Sequence, residues 1–108
     1  MSLSTHVLDA GTGTPAEGVA VALEEREGEN WRSVAQQRTD ADGRVRDLGA
    51  PGTGVHRISF DTGGYFSERG VPTFYPQVTV TFEVTDPQAH YHVPLLLSPF
   101  AYSTYRGS

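Results

Sequence analysis

The sequence predicts an all-β fold, a two-sheet sandwich of eight short strands with one short helix. Two observations carry this expectation. Apolar residues return at every second position in a series of short runs, the period of a strand with one buried face. The 12 glycines and seven prolines of the 108 residues are spread along the chain, so that turn signals separate the runs. Short amphipathic strands of this kind bury their apolar faces between two packed sheets. With no internal repeat and no linker, one domain is expected over residues 1–108.

Leu3 to Ala10 reads as the first strand, with Leu3, Thr5 and Val7 on one face and Ser4, His6 and Leu8 on the other. Gly11-Thr12-Gly13-Thr14-Pro15 turns the chain. Val19 to Glu24 alternates Val19, Val21 and Leu23 against Ala20, Ala22 and Glu24. Glu25 to Asn30 reads as a charged loop, and Trp31 to Thr39 as a strand of weaker pattern. Asp40-Ala41-Asp42-Gly43 is turn chemistry, with Gly43 suited to a positive φ. A short strand, Arg44 to Leu48, and the loop Ala50 to Gly54 follow. Val55 to Phe60 is a strand that carries His56, Ile58 and Phe60 on one face. Asp61-Thr62 has the form of a helix N-cap, and the short helix from Gly63 to Arg69 ends at Gly70. Val71 to Pro76 is extended. Gln77 to Val84 alternates most cleanly, with Val78, Val80, Phe82 and Val84 inward. After a turn at Asp86-Pro87 come the last two strands, Ala89 to Leu97 and Tyr102 to Arg106, joined through Ser98-Pro99.

Composition closes off several chemistries. There is no cysteine, which excludes disulfides, thiolate zinc sites and cysteine nucleophiles. All eight basic residues are arginine, which removes Schiff-base lysine chemistry but leaves planar donor forks. A net charge of −5 argues against a nucleic-acid partner. Met1-Ser2-Leu3-Ser4 lacks the regions of a signal peptide and no apolar run approaches membrane-spanning length. The expectation is a cytoplasmic protein without a membrane partner.

The faces opposite the core are unusual. Tyr91, Val93, Leu95 and Leu97 form a core face. Opposite them stand His90, His92, Pro94 and Leu96, with Ser103 and Tyr105 on the last strand. His6 lies opposite a core face in the same way, with Leu8 beside it. Faces that mix leucine, histidine, proline and tyrosine are too apolar for open solvent and too polar for a core. They fit a subunit interface with a cleft in it. His56 is the control: it shares a face with Ile58 and Phe60 and reads as a packed histidine. His90, near a strand start, reads as solvated or supporting. Two histidines could bind zinc, but no cysteine or clear carboxylate accompanies them on that face, so no metal or other cofactor is expected.

Three stretches carry a resemblance: Leu3-Ser4-Thr5-His6-Val7-Leu8-Asp9, the Gly43-Arg44-Val45 turn, and His90-Tyr91-His92-Val93-Pro94-Leu95-Leu96-Leu97-Ser98-Pro99 with the terminal Tyr105-Arg106-Gly107-Ser108. They resemble the 5-hydroxyisourate hydrolase family, the transthyretin-related proteins of purine catabolism, and the likeness covers essentially the whole chain. The hormone-carrying transthyretins share that fold but lack the motif histidines, the motif arginine and this terminus. Phe100 and Ala101 depart from the tyrosine and glycine common in the family, without touching a motif residue.

The resemblance implies a transthyretin-like sandwich assembled as a homotetramer, a dimer of dimers, with sites in a channel between dimers. It implies metal-free hydrolysis of 5-hydroxyisourate, with His6, Arg44 and His92 as catalytic residues. His92 or His6 is the general base, the other the positioning or acid group, and Arg44 binds and polarises the substrate. Ser103 and Tyr105 face the same channel by parity, as residues that order the water or narrow the pocket. Arg106 clamps the substrate or ties down the terminus. Two other readings stand beside this one: a non-catalytic carrier of a small ligand in the same sandwich, and a purely structural β-domain.

Overall fold

The computed structural model describes residues 2–108; Met1, the first position of the domain expected over 1–108, lies outside the described residues. In chain order the elements are β1 (Ser2–Asp9), β2 (Thr14–Pro15), β3 (Ala20–Glu27), β4 (Asn30–Arg38), β5 (Arg44–Val45), β6 (Gly54–Phe60), α1 (Thr62–Glu68), β7 (Val78–Val84), β8 (His90–Ser98) and β9 (Ala101–Thr104). One sheet runs β2-β1-β8-β9, with β5 also paired to β1; the other runs β4-β3-β6-β7. All eight expected strands are present, and the two-residue β2 joins them from within the expected turn.

The core follows the alternation. Leu3 and Val7 of β1, Val21 and Leu23 of β3, Ile58 and Phe60 of β6, Val78 and Val84 of β7, and Tyr91, Val93, Leu95 and Leu97 of β8 are all buried. The inward polar groups Thr5 and Asp9 find partners, as such burial requires. Thr5 Oγ1 donates to the Val93 carbonyl at 2.6 Å. Asp9 accepts from the Gly11 and Thr12 amides at 2.9 and 3.2 Å and from the Tyr65 hydroxyl at 2.8 Å. Burial, with the hydrogen bond to Asp9, pushes the Tyr65 phenol up to about 12. Helix α1 is capped by Asp61, whose carboxylate accepts from the Gly64 amide at 3.0 Å.

Three boundaries differ from the sequence expectation by more than one residue. Glu25 to Asn30 is not a loop: β3 and β4 continue through it as a hairpin, pairing Arg26 with Trp31 and Glu27 with Asn30. The charges there are consistent with strand because both faces are wet, and Arg32 bridges Glu25 and Glu27 across the pair. The strand expected over Arg44 to Leu48 keeps regular pairing only at Arg44–Val45. Beyond it the chain still bonds to β1, Leu48 N–H to the Leu3 carbonyl at 2.8 Å, but out of register. The last strand stops at Thr104 rather than Arg106. Proline at position 94 has no N–H for the ladder at Tyr105, and its carbonyl is taken by the Thr104 hydroxyl at 2.7 Å. Pairing resumes at an isolated bridge between His92 and Gly107. No helix among the described residues is long and apolar enough to cross a membrane.

Candidate active site

The site is assembled by the pairing of the two ends of the chain. β1 and β8 run parallel, with Ser2 beside His90, Ser4 beside His92 and His6 beside Pro94. β5 lies on the other side of β1 and sets Arg44 opposite His6. Because cross-strand neighbours share a face, His6, Arg44, His90 and His92 all stand on the outer side of the five-stranded sheet. β9 adds Ser103 beside Leu96 on that side.

The turn before β5 positions two of these groups. Gly43 has φ +76°, and a Cβ there would lie 2.3 Å from the Val7 carbonyl oxygen, so only glycine fits. Asp40 accepts the Asp42 and Arg44 amides at 2.8 and 3.0 Å, and the Arg44 amide is the main reason its carboxyl lies below the usual range. The same turn points the Asp42 carbonyl at His6 Nε2, 2.9 Å away. A carbonyl only accepts, so Nε2 of His6 carries the hydrogen, and a neutral ring leaves Nδ1 bare.

His92 is half-buried, and its Nδ1 lies 2.8 Å from Ser4 Oγ. Burial holds the His92 pKa below the ordinary imidazole value, and the charge of Arg44, then His90 and His6, adds to the shift. The ring is held neutral, the form a general base needs. Gly107 packs against it: a Cβ at that position would come within 2.5 Å of His92 Cδ2.

The terminal residues divide between two sides. Ser103 and Tyr105 are exposed. Arg106 alternates away from them, with its guanidinium 4.5 Å from the centre of the Tyr91 ring. His92, Tyr105, Arg106, Tyr91 and Phe82 line a cavity of about 250 Å³ under this segment. A larger cavity, about 540 Å³, lies on the opposite sheet around Ala20, Gln36 and Arg38, and none of the expected site residues lines it. His56 is fully buried, donating its Nδ1–H to the Gly54 carbonyl at 3.1 Å and stacked on Phe82, away from this face. Ser4 and His90 were given no catalytic role by sequence reasoning, although period two already put both on the face of His92; the missing information was the register that joins them.

No set of three or more His, Cys, Asp or Glu side chains arranged to hold a metal ion occurs among the described residues. The arrangement suits acid–base chemistry on a planar, oxygen-rich substrate: two imidazoles with different environments and a guanidinium beside them.

A family model described as the HIUase/Transthyretin family matches residues 3–107. The chain belongs to this family. Among members of the HIUase/transthyretin family, the 5-hydroxyisourate hydrolase of Salmonella typhimurium is 46% identical over 109 residues, covering 98% of this chain and 80% of that protein. The solved structure of Klebsiella pneumoniae 5-hydroxyisourate hydrolase superposes with a TM-score of 0.88 at 39% identity over the whole of both chains. Sea bream transthyretin in complex with thyroxine superposes with a TM-score of 0.92 at 34% identity, covering 99% of this chain and 95% of that one. Backbone likeness therefore does not separate the hydrolase and carrier branches of the family; relatives 41–46% identical over nearly the whole chain carry the hydrolase name.

Proposed function

We propose that this chain is a 5-hydroxyisourate hydrolase, which opens the six-membered-ring amide of 5-hydroxyisourate with water to give 2-oxo-4-hydroxy-4-carboxy-5-ureidoimidazoline in urate degradation. The observation that carries the reading is the meeting of His6, Arg44 and His92 on one face of a chain 46% identical to a named hydrolase over 98% of its length. The carrier reading is not favoured.

In this mechanism His92 is the general base. Its Nδ1 is engaged by Ser4, so Nε2 on the far side of the ring takes the proton from the attacking water. Arg44 binds the heterocycle and offsets the charge that develops on the carbonyl oxygen. His6, fixed by the Asp42 carbonyl, presents Nδ1 to a substrate N–H or to the water. Ser103 and Tyr105 border the substrate from β9 and the terminal segment. For Arg106, the contact with Tyr91 supports tying down the terminus over clamping the substrate. The chemistry uses no metal or other cofactor.

The working unit is a homotetramer, a dimer of dimers, with the site in a channel between dimers. Support comes from Phe74, Phe100 and Tyr105, which are 72%, 69% and 59% exposed, and from the sheet edges β7 and β9. The chain acts as one domain, in keeping with its shared core cluster, and works in the cytoplasm, in keeping with its lack of cysteine.

Urate and urate oxidase generate the substrate, and its decay is followed by ultraviolet absorbance with and without this protein. Acceleration at sub-stoichiometric protein is expected; an unchanged decay rate overturns the hydrolase reading. Light scattering on the same sample tests the tetramer.

A further inference from the structure

Ser2, Ser4, His90 and His92 form an unbroken hydrogen-bonded row. Ser2 Oγ lies 2.5 Å from His90 Nδ1, His90 Nε2 lies 3.3 Å from Ser4 Oγ, and Ser4 Oγ lies 2.8 Å from His92 Nδ1. The two imidazoles are nearly parallel, with centroids 6.4 Å apart and planes 15° from each other. The row runs from the half-buried His92, through a serine only 8% exposed, to the exposed His90. It follows from register, because parallel pairing sets each serine beside a histidine on the same face.

We propose that Ser4 and His90 are positioning residues of the hydrolytic site: Ser4 fixes the tautomer of His92, and His90 receives through Ser4 the proton that His92 takes from water. This rests on the reading of His92 as general base.

Serine has one hydrogen and two lone pairs, so it cannot donate to both rings at once. If Ser4 donated to His92 Nδ1, a neutral His92 would carry its hydrogen on Nε2 and could not accept there. The productive order runs in one direction. His92 Nδ1–H donates to Ser4, Ser4 O–H donates to His90 Nε2, and His90 Nδ1–H donates to Ser2. When water gives a proton to His92 Nε2, the Nδ1 proton passes to Ser4 Oγ as the serine proton passes to His90 Nε2. Each heavy atom in the middle gains and loses one proton, and the positive charge arrives at an imidazole in contact with solvent.

The reaction needs such an outlet. Opening a cyclic amide to a carboxylic acid and a ureido nitrogen releases one proton per turnover near neutral pH, because the acid ionises and a ureido nitrogen is not basic. Two of the basic groups facing His92 favour export. Arg44 from β5 and His6 from β1 both disfavour its charged form. Arg106 and Tyr105 of the terminal segment and Glu83 of β7 line the cavity beside it.

The test compares Ser4→Ala, Ser4→Thr and His90→Gln in the coupled assay across pH, in dilute buffer and with added imidazole. Ser4→Ala should lower kcat about tenfold to a hundredfold with KM within about twofold, and Ser4→Thr should restore most of it. His90→Gln keeps a hydrogen-bonding side chain without a titrating one. It should slow turnover in dilute buffer and be rescued by free imidazole as a diffusible proton carrier. Nitrogen-15 spectra of the folded proteins should show the Nδ1–H tautomer at His92 in the wild type and its loss in Ser4→Ala. Wild-type kcat in both Ser4→Ala and His90→Gln at every buffer concentration overturns the relay while leaving the hydrolase reading intact. If the wild type itself does not accelerate decay, the hydrolase reading fails instead. The His92 spectra then decide whether Ser4 sets the tautomer, and an unchanged spectrum in Ser4→Ala overturns that too.

Discussion

Gly107 lies against the imidazole of His92, donating its N–H to the His92 carbonyl at 2.8 Å and leaving no room for a Cβ, which would fall 2.5 Å from Cδ2. The second-to-last residue of the chain thus fixes both the backbone and the ring position of the candidate base. Gly107→Ala is expected to lower kcat/KM about a hundredfold, the scale of an ångström-sized misplacement, with little change in Tm. Deleting Tyr105 to Ser108 should have at least that effect. Full turnover in either variant would show the terminus to be dispensable.

His92→Ala and Arg44→Glu remove the base and the cation that meet on the outer face. Each is expected to cut kcat/KM by roughly a thousandfold or more while far-ultraviolet circular dichroism and oligomer size stay unchanged. Wild-type rates in either variant would remove that residue from the site.

His92 must be neutral to act as a base, so activity should be lost as pH falls through its pKa. Burial, Arg44, His90 and His6 all lower that pKa. The acid limb of kcat/KM is therefore expected below about 6.5, the ordinary imidazole value. In an NMR titration Arg44→Gln should move the His92 midpoint upward, because one positive neighbour is gone. A midpoint at or above the ordinary value in the wild type would contradict the assigned environment.

Gly43 is required twice, by its φ of +76° and by the 2.3 Å approach a Cβ would make to the Val7 carbonyl. Gly43→Ala should cost about 2 kcal/mol or more in urea unfolding. It should also weaken turnover, because the same turn orients Arg44 and the carbonyl that holds His6. An unperturbed midpoint would mean the turn relaxes freely.

His56 is fully buried, and its Nε2 has no hydrogen-bond partner among the described residues. His56→Gln should shift stability by about 1–3 kcal/mol and leave kcat/KM nearly unchanged. A loss of turnover larger than the loss of stability would bring His56 into the site.

Much of this was legible in the residues. Period two sorted His6 and His92 from His56, and the three side chains fall on the sides it assigned: His56 is fully buried, while His6 and His92 are half-buried on the outer face. The Asp40 to Gly43 turn and the Asp61 cap were readable because aspartate and glycine do their work within a few residues. The Glu25 to Asn30 hairpin was not, because its charges look like a loop until cross-strand partners such as Arg32 are known. The early end of β9 depended on which residue lies opposite Pro94, and no local pattern tells that.

The sequence by itself determined the faces, since alternation is a property of neighbouring residues along one strand. It also determined the family, through motifs near both ends. Only the tertiary structure decided which outward residues meet. Ser4 and His92 are 88 residues apart in the chain and 2.8 Å apart in space. That distance follows from the parallel register of β1 on β8, and a shift of one residue would turn the imidazole into the core. Register is fixed by how two whole sheets pack, so the hydrogen-bonded row through Ser4 and His90 exists only once the chain has folded.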